Sequence, residues 1–351
     1  MTARRVVAFG GGHGLSASLR ALRHCAPELD LDITAVVTVG DDGGSSGRLR
    51  AERGGLPPGD LRQALVALAG DHPATRRSAG LFQHRFAAVP ALGVPPDGGT
   101  DADPAAAGGP EPRGADPTAA RTDGLAGHAV GNLVLCGLME LLGDPVAALE
   151  HAGAMLGTVG RVLPMSRQPV GIEARVRGAD PSAPDEVRTV RGQHQVAVTT
   201  GRVESLRLTP AAPAACAEAL AAIAAADWLI FGPGSWYTSV LPHLLVPQLA
   251  DAIVSSSARR LVTLNLAAEK ETLGLSVADH LAALRWYLPE LKVDLVLADA
   301  KAVGDPEPVE RAAESLGARL VLAPVAVIDG TPRHDPAALG AALVPVLGAD
   351  R

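Results

Sequence analysis

At 351 residues, 47% hydrophobic but only 3% aromatic, the chain can bury one large or two ordinary cores built mainly from Ala, Val and Leu. Its formal charge of −7 gives no global attraction to nucleic acid or anionic lipid, and Cys25, Cys136 and Cys216 lie far apart without a CxxC, against a disulfide framework or structural zinc. No apolar run reaches bilayer length, and Met1–Arg5 lacks a signal peptide's apolar region and cleavage site, so the expectation is a cytoplasmic protein with no membrane span and no nucleic-acid partner.

The elements follow a βαβ grammar. Arg4–Phe9 reads as an apolar strand ending in Gly10-Gly11-Gly12-His13-Gly14, after which Leu15, Leu19 and Leu22 recur at helical spacing. Ile33–Val39 predicts a second buried strand, ended by the turn Asp41–Gly47. Asp60 is expected to N-cap a helix through Leu61–Ala69, with a further helix over Leu81–Ala87. From 88 to 126 Pro, Gly, Ala and Asp dominate without periodicity, the composition of a disordered insertion.

Order returns at Gly127. Leu133–Leu142 reads as a buried helix, and Asp144-Pro145 opens another through Leu156. Over 158–211 the short β-like runs Val170–Val176, Gln195–Thr199 and Val203–Leu208, with Val187–Arg191 as an edge, predict a small, largely antiparallel subdomain. It is embedded between the two parts of an α/β core, 1–157 and 212–351. Ala214–Ala225 reads as a helix leading into the strand Trp228–Phe231, which stops at Gly232-Pro233-Gly234-Ser235. Strands at Arg260–Leu264, Val293–Ala298 and Leu320–Leu322 alternate with helices at Val277–Tyr287, Pro308–Leu316 and Asp335–Leu347. The fold class expected is α/β, a three-layer Rossmann-like arrangement around a mainly parallel sheet.

Three apolar strands thus end in glycine-rich turns, whose backbone N–H groups can point at an anion. Gly12-His13-Gly14-Leu15-Ser16-Ala17 matches G-x-G-x-x-A, and Asp41 stands where a ribose-binding acid would, so a nicotinamide dinucleotide is one reading. Asp41-Asp42-Gly43-Gly44-Ser45-Ser46-Gly47 is more than that reading requires. Its carboxylates, hydroxyls and amides could grip ribose hydroxyls, a metal, or both, with one of the adjacent acids facing the ligand. Asp60 and Arg62 are expected on the same rim, and Arg48, Arg50 and Arg62 are phosphate-partner candidates. Asn132 either finishes a pocket or only caps its helix. Ser235 reads as a phosphate donor, since no strained nucleophile elbow surrounds it. HExxH and Cys/His metal spacings are absent from the sequence.

Taken together and in order, Gly10–Leu15, Thr38–Leu49, Pro57–Arg62, Gly127-His128-x-x-Gly131-Asn132-Leu133 and Gly232–Ser239 resemble the bacterial gluconeogenesis factor (YvcK-like) family, with Trp236 and Val162–Met165 closest to its actinobacterial branch. His13 stands where many members carry Thr, and Asn265–Thr272 lacks the Pro-Gly that usually precedes Glu-Thr. The resemblance implies the CofD-like α/β fold and a cytoplasmic regulator without an established reaction. Such a protein would bind a UDP-sugar such as UDP-N-acetylglucosamine and support cell shape and peptidoglycan synthesis under gluconeogenic growth. The implied ligand-binding residues are Gly11, Gly12, His13, Gly14, Asp41, Asp42, Gly43, Gly44, Ser45, Asp60, Asn132, Gly232, Pro233, Gly234, Ser235 and Asn265. Cell-wall regulatory proteins and a second copy of the chain are the partners it allows. The alternative it carries is a transferase of a phospho-hydroxyacid group from a nucleotide diphosphate donor. Only that alternative brings in Mg2+, at Asp42.

Overall fold

The computed structural model describes residues 3–88 and 123–349, so the insertion expected over 88–126 falls, apart from its edges, outside the described residues. The first half runs β1 (Arg4–Gly10), α1 (Gly12–Leu29), β2 (Leu31–Val37), α2 (Gly44–Arg53), α3 (Pro58–Leu68), α4 (Pro73–Gln83), α5 (Val130–Leu142), α6 (Pro145–Leu156) and β3 (Arg161–Pro164). Then come β4 (Gly171–Arg177), β5 (Val187–Arg191), α7 (Gln193–Val198), β6 (Arg202–Thr209), α8 (Ala217–Ala225) and β7 (Trp228–Phe231). The remainder is α9 (Leu241–Leu244), α10 (Pro247–Ser255), β8 (Arg259–Thr263), α11 (Val277–Tyr287), β9 (Leu295–Asp299), α12 (Ala300–Val303), α13 (Glu307–Ser315), β10 (Arg319–Ala323) and α14 (Pro336–Gly348).

Seven strands form one sheet in the order β10-β9-β8-β7-β1-β2-β3, every neighbouring pair parallel. Parallel strands covered on both faces must be apolar on both, and β7 is buried at each of its four residues. Phe9 of β1 stacks on Phe231 of β7 with ring centroids 4.8 Å apart. From β1 the chain proceeds outward through β2 to β3, and from β7 outward the other way through β8 to β10. Right-handed crossovers then place the two sets of helices on opposite faces, which leaves a crevice beyond the carboxyl ends of β1 and β7. There the chain presents its first and third glycine turns.

A separate antiparallel sheet, β5-β4-β6, is the small embedded unit. Along β4, Ile172, Ala174 and Val176 are buried, while the Glu173 carboxylate takes Arg191 at 3.1 Å and Arg207 at 2.5 Å on the other face.

Five local expectations change. Asp60 is not an N-cap: α3 starts at Pro58, whose ring suits the first helical position and needs no N–H partner, so Asp60 stands inside the first turn. The helix expected at Leu81–Ala87 lies earlier, in α4, where Pro73 occupies the first turn and the His72 ring nitrogen accepts from Ala74 N at 3.2 Å. Gln195–Thr199 is not β-like but falls largely in the helix α7, capped from another part of the chain. The helix read as buried, α5, buries only Gly131, Asn132 and Leu135 fully, and Leu141 is 79% exposed. Finally, β3 pairs with β2 and belongs to the large sheet, not the small one.

Candidate functional site

The first and third glycine turns touch. A Cβ built on Gly14 would lie 2.3 Å from the Pro233 carbonyl oxygen and 2.4 Å from Gly234 Cα, so only glycine lets the two backbones approach this closely. Gly12 at φ +57° and Gly234 at φ +146° turn the chain where a side chain would be strained. Asn265, just beyond β8, fixes Gly234 from both sides: its Oδ1 accepts from Gly234 N at 2.8 Å and its Nδ2 donates to Gly234 O at 2.9 Å. The Ser235 hydroxyl donates to Glu269 Oε2 at 2.5 Å. A π-helical turn, Trp236–Val240, follows, and Tyr237 N donates to the buried Glu271 carboxylate at 2.8 Å. Burial, with Glu269 nearby, raises Glu271 to a pKa of about 7.

The second turn joins them through the start of α3. A Cβ on Gly59 would meet Ser46 Oγ at 2.3 Å and Asp41 Oδ2 at 2.8 Å, and one on Gly11 would meet Asp60 Oδ2 at 2.5 Å. Asp41 also accepts from Gly43 N at 2.9 Å. Burial, reinforced by Asp41, pushes Asp60 to about 7, and burial also raises Asp41 above the ordinary carboxylate range. Beside them Arg62 is 3% exposed and has one guanidinium nitrogen, Nη1, without a partner among the described residues. Burial, and then the charge of Arg85, lower its pKa to about 10.

These turns surround one cavity of about 1110 Å³, which admits a ligand of nucleotide-sugar size. Of the residues expected at the site, Gly11, Gly12, His13, Gly14, Asp41, Asp60, Pro233, Gly234, Ser235 and Asn265 line it. Asp42, Gly43, Gly44, Ser45, Asn132 and Gly232 do not. The Asp42 carboxylate accepts from His194 N at 2.9 Å and so caps α7. Asn132 is neither a pocket wall nor a cap: α5 is preceded by Ala129, and the Asn132 amide accepts from Arg62 Nε at 2.8 Å and donates to Ser45 Oγ at 2.9 Å. Arg48 and Arg50 also point elsewhere, donating to the carbonyls of Ala126 and of Gly40 and Val170.

Sequence reasoning missed the contribution of the small sheet. Gln193, His194 and Ala197 of α7 line the cavity, and Gln193 Nε2 donates to Thr238 O at 3.1 Å, tying the small unit to the third turn. It also missed Leu266–Glu269 and the strap carrying Arg333 and His334. The glycine of Gly330-Thr331-Pro332 signalled a turn there, but nothing in the sequence placed that turn beside the cavity. Among the described residues no group of three or more His, Cys, Asp or Glu could hold a metal alone. Asp41 and Asp60 suit magnesium only in the mode where one or two carboxylates share it with phosphate oxygens and water. Asp42, committed to α7, does not.

The family model for 2-phospho-L-lactate transferase CofD matches residues 6–321. The chain is 46% identical over 349 residues to a putative gluconeogenesis factor of Mycobacterium tuberculosis (strain ATCC 25618 / H37Rv), covering 98% of this chain and 91% of that protein. It is 33% identical over 318 residues to the gluconeogenesis factor of Bacillus subtilis (strain 168), covering 90% and 84%. The crystal structure of a UPF0052-family protein from Bacillus halodurans matches the fold with a TM-score of 0.76 at 32% identity, over 98% of this chain and 99% of that one. With the motifs, the strand order and these relatives in agreement, the chain belongs to the gluconeogenesis-factor (YvcK-like) family of the CofD superfamily.

Proposed function

We propose that the cavity binds a UDP-sugar of the UDP-N-acetylglucosamine type, and that the chain is a cytoplasmic regulator that couples this ligand to cell shape and peptidoglycan synthesis during gluconeogenic growth. The observation that carries the reading is the backbone contact of Gly14 with Pro233-Gly234 at the point where the sheet's strand order reverses. Amides of the Gly11–Gly14 turn and of Ser235 would take the diphosphate, with Gly234 N held by Asn265. The Leu266-Ala267-Ala268 wall suits a base, with Glu269 in reach of ribose hydroxyls. The sugar would then lie toward Asp41 and Gln193. Calorimetric titration of the full chain with UDP-N-acetylglucosamine, UDP-glucose and NAD tests it. Saturable heat with the UDP-sugars and none with NAD is expected. Silence with every UDP-sugar at millimolar concentration sinks the proposal.

A second reading, transfer of a phospho-hydroxyacid group, draws on Asp60 and on the CofD family model. An acceptor hydroxyl would attack the phosphorus bearing the hydroxyacid. The bond from that phosphorus to the bridging oxygen would break, releasing a nucleoside monophosphate. Asp60, titrating at about 7, could take the hydroxyl proton. Magnesium shared by Asp41 and the phosphates would neutralise charge. The reading requires magnesium-dependent formation of nucleoside monophosphate from such a donor with a deazaflavin acceptor, and recovery of unchanged donor ends it.

A further inference from the structure

We propose that the end of the cavity beside α3 is an anion subsite centred on Arg62, and that the preferred ligand is a nucleotide sugar carrying a carboxylate on its sugar. The inference rests on the nucleotide-sugar reading and deepens it. Arg62 lines the cavity yet is 3% exposed, and its Nη1 has no partner among the described residues. An unpaired N–H of a buried guanidinium carries a desolvation cost that a ligand oxygen would relieve.

The group is held ready for that oxygen. Its Nε donates to Asn132 Oδ1 at 2.8 Å, Asn132 Nδ2 donates to Ser45 Oγ at 2.9 Å, and Ser45 Oγ is 2.9 Å from His128 Nδ1. All four side chains are buried. The stem is pinned as well, since a Cβ on Gly131 would come within 2.8 Å of Arg62 Cδ. A chain of buried polar groups that fixes one nitrogen and leaves another open is costly for stability alone, and it fits a guanidinium that recognises something.

Topology says which part of the ligand reaches it. The diphosphate cradle lies between β1 and β7, whereas α3 packs on β2 and β3, farther along the sheet on the side away from Asn265. From the β1–β7 seam to β2 is about one and a half strand spacings, roughly 7 Å, beyond a diphosphate centred there but within reach of the sugar attached to it. A neutral hydroxyl could satisfy one N–H, but a carboxylate forms the stronger charge-assisted pair. Arg85 adds positive charge to the same region, and the acids that face Arg62 there, Asp60 and Asp41, are both shifted by burial toward their neutral forms.

The test titrates the full chain with two matched pairs, UDP-glucose against UDP-glucuronate and UDP-N-acetylglucosamine against UDP-N-acetylmuramate, which place the carboxylate at different reaches. At least one acid is expected to bind about tenfold or more tightly than its neutral partner. In Arg62→Met the ratio of acid to neutral affinity falls to about one, and Arg62→Lys keeps part of the preference. Should Arg62→Met not fold, the methyl ester of the tighter acid replaces it, and loss of the advantage on esterification supports the subsite. Neutral binding with no preference for either acid overturns this inference alone. A preference that survives both Arg62→Met and esterification overturns it too, and binding of none of the four overturns it together with the nucleotide-sugar reading.

Discussion

Replacing Gly14 with alanine sets two physical effects against each other. Gly14 is the third residue of α1, and glycine in a helix costs up to ~1 kcal/mol relative to alanine, so propensity alone makes the variant more stable. The new Cβ, however, would meet the Pro233 carbonyl oxygen at 2.3 Å and Gly234 Cα at 2.4 Å. Both are backbone atoms, and neither can rotate aside. The turns would have to separate by about 1 Å to regain ordinary contact, a forced displacement of the kind that costs about 1–3 kcal/mol. Gly234 cannot yield freely, because Asn265 holds its N–H and its carbonyl. Gly137→Ala is the matched control: it sits exposed within α5, where an added Cβ meets nothing within 4 Å. Urea unfolding should show Gly137→Ala stabilised by about 0.5–1 kcal/mol and Gly14→Ala destabilised by up to about 2 kcal/mol, the difference between them being the clash of about 1–3 kcal/mol. UDP-sugar affinity should fall only in the Gly14 variant. If both substitutions stabilise equally and both proteins bind alike, the two turns are not packed as described and the argument for a shared cradle fails.

Three further outcomes follow from the same geometry. Asp42→Asn should match the parent in stability and binding, since an asparagine oxygen can also accept from His194 N, whereas Asp42→Ala loses the cap and about 1 kcal/mol; an asparagine variant as impaired as the alanine one would mean that the charge itself is needed. Asn265→Ala removes both bonds to Gly234 and should cost about 1–2 kcal/mol in a thermal melt and weaken UDP-sugar binding, so an unchanged dissociation constant would show that the third turn holds its shape unaided. Glu271 keeps its proton in the folded chain until about pH 7 but releases it near the ordinary carboxylate value of 4.5 when unfolded, so its contribution is full below 4.5 and is lost as pH rises through 7. Glu271→Gln cannot ionise, and its stability relative to the parent should rise by up to ~1.4 kcal/mol per pH unit across that window, then level off. A difference that stays flat in urea titrations between pH 4.5 and 7.5 contradicts the assignment.

Much of the architecture is legible in the sequence because buried parallel strands are written as continuous apolar runs. Trp228–Phe231 could be bounded from the text, and Val277–Tyr287 from its period. The pairing of β7 with β1 could not, since no local pattern names a partner so distant in the chain. Local rules also misjudged contests between neighbouring signals. Asp60 is a good capping residue, but Pro58 claims the first helical position two residues earlier and turns the aspartate inward. The helix α7 had no signature of its own, because its cap is a carboxylate supplied from the second turn. At the site, the sequence singled out Asp41 and Asp42 together, and the fold separates them, one into the cavity and one onto α7. Arg62 stands with Asp60 on the expected rim but also among three candidate phosphate arginines, and only its own burial and its bond to Asn132 set it apart.

The strand that carries the first glycine turn finds one neighbour immediately, at 31–37, while the other lies across the gap that separates Arg5 from Asp227, 222 residues downstream. A growing polypeptide therefore holds Val6–Phe9 with one flank uncovered until most of the chain has been made. Such an apolar edge is sticky toward other chains, and folding that waits on so remote a partner is slow. The hollow and the exposure to misassembly thus have the same origin, a central seam closed by segments from the two parts of the core.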